Sequence, residues 1–122
     1  MLLLDTLLNF WTANFLEKFA SRRRFPLSAR HGIRSSDSNS FVHAGIPAVS
    51  FARYSPASIV QIHTPTDTPD AVSPRQLLCD MNFIAGFVLH AVNDPVFVDS
   101  LSIAPSIAEE VSSYFKRKLL KK

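Results

Sequence analysis

Leu4, Leu7, Leu8, Trp11, Phe15 and Phe19 recur at spacings of three and four, which predicts an amphipathic helix over about residues 2–20. Pro26 ends any continuation, and Leu27 to His31 reads as a short strand. The polar run from Arg34 to Ser40 is dense in residues that cap helices or make turns, and it leads into a predicted short helix over about 38–44. Gly45 suits the left-handed residue that would close that helix. Ile46 to Phe51 is apolar apart from Ser50, the pattern of a strand covered on both faces. Residues 52–72 are rich in proline and hydroxyl groups and form a long loop of the kind that often carries function.

Ser73-Pro74 supplies a cap followed by proline at the first helical position. From there Leu77, Leu78, Met81, Ile84, Ala85, Val88 and Leu89 hold the helical period to about Val92, where Asn93-Asp94-Pro95 stops it. Ile107, Val111, Tyr114, Phe115, Lys118 and Leu119 mark a last amphipathic helix with a basic end within residues 100–122. The order of elements predicts an α/β layer architecture in a single domain over residues 1–122. Two strands are few for it, since a two-stranded sheet is marginal alone.

Composition supports a core, with 47% hydrophobic and 19% charged residues, which excludes the disordered class. The net charge of +3 comes from two clusters, Arg22-Arg23-Arg24 and the tail Lys116-Arg117-Lys118 with Lys121 and Lys122. Both are read as solvated helix ends, where cations favour the negative terminus, and neither nucleic acid nor membrane is expected as a partner. Cys79 is the only cysteine, so no internal disulfide can form, and its apolar neighbours predict a small buried hydrophobe. Met1 to Leu4 is followed at once by Asp5 with no basic n-region, so no signal peptide is expected. No apolar run reaches the roughly 18 residues that span a bilayer, and a soluble, cytoplasmic protein is expected.

Candidate chemistry concentrates in His63-Thr64-Pro65-Thr66-Asp67-Thr68-Pro69-Asp70, one imidazole among carboxylates and hydroxyls just before a helix. A neutral imidazole is a common zinc ligand whose second nitrogen needs an oriented acceptor, for which Asp67 and Asp70 are candidates. On spacing alone, a His and two Asp in a loop more often make a turn network than a metal site. His43 and His90 fall on apolar-flanked helical positions and read as structural, while His31 beside Gly32 is undecided. A serine hydrolase triad through Ser36, Asp37 and a histidine is disfavoured, because adjacent side chains diverge and no nucleophile-elbow glycines flank Ser36.

Three motifs in order, Ser36-Asp37-Ser38-Asn39-Ser40-Phe41, then Ala44-Gly45-Ile46-Pro47-Ala48-Val49-Ser50-Phe51, then Ile62-His63-Thr64-Pro65 with Asp67-Thr68, resemble the closing series of M28-type zinc metallopeptidases over about residues 27–93. The resemblance implies a partial α/β/α sandwich around a mixed sheet, and hydrolysis of peptide bonds at amino termini by a pair of zinc ions. It matches His63 to the family's last metal-binding histidine, Asp37 to an acidic position lining the active site, and Asp67 to the residue ordering the loop that carries His63. Ser38 stands where the family often has histidine.

The family's other ligands and its general-base glutamate come earlier in a full-length chain. Upstream of Asp37 only Asp5, Glu17 and His31 are of ligand type, and they do not fit the expected arrangement. The resemblance therefore implies a carboxy-terminal portion of an aminopeptidase, inactive as this chain alone, that binds zinc weakly or not at all. The alternative is a scaffold of the same fold used for binding or assembly. Expected partners are a peptide substrate for the complete enzyme, and a second copy or a complementing chain.

Overall fold

A computed structural model of the chain describes residues 2–6, 10–33, 36–53 and 61–120. It is a mixed helix and strand fold. Strand β1 (Leu2–Thr6) leads to helix α1 (Phe10–Arg22), strand β2 (Leu27–His31), helix α2 (Ser38–His43) and strand β3 (Val49–Arg53). A 3-10 turn (Pro69–Ala71) precedes the long helix α3 (Pro74–Val92), the short α4 (Pro95–Ser100) and the terminal α5 (Pro105–Leu119).

The first helix is shorter than its periodicity predicts, because residues 2–6 form a strand. β1 is the central strand of a three-stranded sheet of order β2-β1-β3, parallel to β2 with Leu4 opposite Ala29, and antiparallel to β3 with Leu4 opposite Phe51. Leu2-Leu3-Leu4 is apolar at every position, so a helical and a central-strand reading compete locally. Backbone pairing on both sides decides for the strand. β1, α1 and β2 thus form a parallel crossover unit.

α1 ends where its basic run begins. The Phe25 amide bonds the Ala20 carbonyl at 2.9 Å and the Arg24 amide bonds Ser21 at 3.0 Å, a Schellman closure with Arg24 left-handed at φ 53°. The Arg23 guanidinium lies 3.7 Å over the Phe19 ring, and Phe25 stacks on Phe83 with centroids 4.0 Å apart. α2 closes in the same way, with Gly45 at φ 81° and the Ile46 amide bonded to Phe41 at 2.9 Å. α3 begins as its sequence indicates, the Ser73 hydroxyl accepting the Gln76 amide, and α4 is capped by Asp94 through the Phe97 amide.

The main core joins α1 (Leu16, Phe19, Ala20), α3 (Phe83, Phe87, Ala91) and Phe97 of α4, with Leu27 and Ala29 of β2 and Val49 and Phe51 of β3 packed against it. Phe87 is its hub, with ring contacts to Phe15, Phe19, Phe51 and Phe97. Alternation along β3 sends Val49 and Phe51 into this core and leaves Ser50 on the other face, where it bonds Ser38 at 3.0 Å. β3 is therefore half-buried throughout, not covered on both faces as its apolar run suggests, and it starts at Val49 instead of Ile46. A second cluster pairs Val42 of α2 with Ile107 and Val111 of α5.

α3 turns a different face inward from the one its apolar stripe predicts. Asp80, Phe83, Phe87 and Ala91 are buried and Ile84 is partly buried, whereas Leu77, Leu78, Met81, Val88 and Leu89 are exposed. Cys79 is exposed too, contrary to its expected burial. The rings of Phe83 and Phe87 fill more of the space between α1 and the sheet than leucines would, and they set the rotation of the helix. Of the aromatic residues on the first helix, Phe19 is buried and Phe15 half-buried.

Candidate functional site

The His63 loop is held by its own short-range bonds. The Thr64 amide donates to the Gln61 carbonyl at 3.0 Å, and the Asp67 amide donates to the Thr64 carbonyl at 3.0 Å. The Thr64 hydroxyl also donates to Gln61, accepts the Thr66 amide, and pairs with the Thr66 hydroxyl at 2.8 Å. His63 sits in the left-handed region at φ 63°, and its amide donates to Asp67 Oδ2 at 2.9 Å. Left-handed backbone is uncommon outside glycine, though histidine enters it more readily than most residues. The Asp67 carboxylate spans the turn and fixes that conformation through the main chain, leaving the imidazole exposed. Asp67 thus contacts the His63 backbone, not the ring nitrogen considered from sequence.

Beside this loop lies a polar cluster that sequence reading missed. Arg53, the last residue of β3, makes a two-pronged ion pair with Asp80 of α3, Nε to Oδ2 and a terminal nitrogen to Oδ1, both at 2.6 Å. Gln76, one turn before Asp80, adds an amide bond to Oδ1 at 3.2 Å. The bond from Arg53, reinforced by its charge and by Gln76, holds the Asp80 carboxyl below the ordinary carboxylate range against the opposing effect of burial. The Arg53 guanidinium is in turn raised by Asp80. Arg53, Gln61, Asp67, Gln76 and Asp80 line one depression of about 290 Å³, so the ion pair and the His63 loop share a wall. The available signal was the helical row Asp80, Phe83, Phe87. Once the two phenylalanines are placed inward, Asp80 must be buried with them and needs a cationic partner.

Asp37 stands apart from His63 and Asp67. It is the residue before α2, makes no side-chain capping bond, and lines a separate groove with Ser36, Ser38, Phe41, Pro47 and Ser50. Ser38 bonds both Ser36 and Ser50 through hydroxyls, which ties the start of α2 to β3. His43 packs against Phe115 with centroids 4.6 Å apart, and His90 stacks on Phe15 and Phe19 at 5.6 and 5.2 Å. Both lend their rings to helix packing. The His31 side chain lies outside the described residues.

Among the described residues no three His, Cys, Asp or Glu side chains converge on a point that could hold a metal. A catalytic zinc takes about three protein ligands. His63 with Asp67 tied to the backbone does not make such a set. No helix among the described residues is long and apolar enough to cross a membrane. No protein-family model, curated protein or solved structure matches the chain.

Proposed function

We propose that this chain is the carboxy-terminal portion of a zinc-dependent aminopeptidase of the M28 type, carrying one metal-binding histidine, His63, and incomplete as a catalyst by itself. The observation that carries the reading is the His63 loop. It follows β3 of a mixed sheet and precedes α3, and its Asp67 carboxylate holds the His63 amide so that the imidazole projects free of protein contacts that would bury it. A residue kept in left-handed backbone by a dedicated carboxylate is the kind of strained position that functional sites favour. In the complete α/β/α sandwich His63 would supply one zinc ligand alongside the family's earlier ones, and zinc held there would supply Lewis-acid chemistry for hydrolysis of an amino-terminal peptide bond, whereas Asp37 lines a groove separate from the His63 loop.

The alternative, a non-catalytic assembly protein built on the same scaffold, is favoured by one observation, the exposed apolar face of α3. Zinc stoichiometry after stripping and adding back metal, with hydrolysis of a leucyl chromogenic amide, tests the proposal. Expected is less than one tightly held zinc and no hydrolysis by the chain alone, with both gained when a segment carrying the earlier ligands is added, and lost again in His63→Ala. Restored hydrolysis that is indifferent to His63→Ala would overturn the assignment.

A further inference from the structure

α3 is apolar on two neighbouring sides. One side, Asp80, Phe83, Phe87 and Ala91, faces α1 and the sheet. On the other, Leu78, Met81, Ala85, Val88 and Val92 follow one another at steps of three, four, three and four, the a/d seam of a helix that pairs with another helix. Every one of the five is exposed, Leu78 at 58%, Met81 at 57%, Val88 at 49% and Val92 at 63% of full accessibility, and Leu77 and Leu89 flank them exposed as well. A helix with so wide an apolar arc belongs largely in an interior, and only the phenylalanine part of that arc is covered within the chain.

We propose that two copies of this chain pair through this face, α3 against α3, antiparallel about a two-fold axis at Ala85. The occupant is a second copy for two reasons. Area is the first. From the exposures of Leu77, Leu78, Met81, Val88, Leu89 and Val92 the face offers at most on the order of 600 Å² per chain, so a symmetric pair buries up to about 1,200 Å², the lower edge of the range of stable interfaces. Complementarity is the second. With the axis at Ala85, Leu78 meets the partner's Val92 and Met81 meets the partner's Leu89, as a closed isologous contact requires, while Val88 falls opposite the partner's Asn82.

Charge favours the same orientation. The first turn of α3 carries no acidic residue, and Arg75 sits there against the positive end of its own helix dipole. Antiparallel pairing brings Arg75 beside the partner's Asp94 and the negative end of the partner's helix, whereas a parallel pair would set two arginines side by side. Ala85, the smallest side chain of the seam, falls at the crossing point, where the helices approach most closely.

Sedimentation of the purified full chain at 1–100 µM, a working range of about two decades around a micromolar association, tests the pairing. The expected species has twice the 13.6 kDa mass of the chain. Met81→Glu with Val88→Glu should weaken association at least about a hundredfold, since both place charge in the seam. Unchanged far-ultraviolet dichroism keeps that result separate from misfolding. In a Cys79→Ser background, Ala85→Cys should cross-link to itself under mild oxidation, while Glu109→Cys, exposed on α5, should not. A monomer at 100 µM overturns the proposal and leaves the face to the segment carrying the missing ligands. A dimer that survives the double glutamate variant, or one that fails to cross-link through position 85, overturns it equally. None of these readouts depends on metal or hydrolysis, so the pairing can fail while the peptidase reading stands, and the reverse.

Discussion

Asp80 is a carboxylate almost without solvent, and it is tolerated because Arg53 and Gln76 supply three donors to its two oxygens. Asp80→Asn keeps the shape and removes the charge, and it should cost about 2 kcal/mol of stability at neutral pH, the usual worth of hydrogen bonds to a charged group. The pH dependence has a definite sign. Because the folded carboxyl titrates below its unfolded value of about 3.9, its contribution is complete above that value and disappears as pH falls through the depressed one. Urea unfolding of the two proteins should therefore show a constant gap from pH 5 to 8 that closes only in acid. Asp67 acts more locally. In Asp67→Ala the His63 amide loses its acceptor, and its hydrogen exchange, read by NMR, should accelerate at least tenfold while global stability changes by less than about 1 kcal/mol, since the loop is exposed.

Among the elements, those with explicit end signals were legible. Ser73-Pro74 opens α3, Asn93 to Pro95 closes it, and Gly45 closes α2, because capping chemistry is local and a few residues contain all of it. Rotation and strand pairing were not legible in the same way. Nothing within Leu2–Thr6 distinguishes a helix turn from a central strand. Nothing within α3 says whether its leucines or its phenylalanines turn inward, as both rows have the helical period. Gly86 gives a test at this scale. It lies in the middle of α3 with helical backbone, and a side-chain carbon built there meets nothing within 4 Å. Gly86→Ala should raise stability by about 0.5–1 kcal/mol through helix propensity alone, measured as a higher urea midpoint with unchanged slope.

For the molecule as a whole, a two-face helix on a three-stranded sheet leaves a large apolar surface uncovered in the single chain. Pairing through α3 links folding to association, so the thermal midpoint should rise with protein concentration in the parent chain and stay fixed in the double glutamate variant. The sequence by itself determined the mixed helix and strand character, the ends of α2 and α3, the strand at Leu27–His31, and the His63-to-Asp67 turn, each encoded within a few neighbouring residues. Tertiary structure alone decided that Leu2–Thr6 is the central strand, that Phe83 and Phe87 take the core side of α3, that Arg53 reaches Asp80, and that Asp37 lies in a separate groove from the His63 loop. Those outcomes depend on which distant surfaces meet, and no local pattern records the shape of the partner.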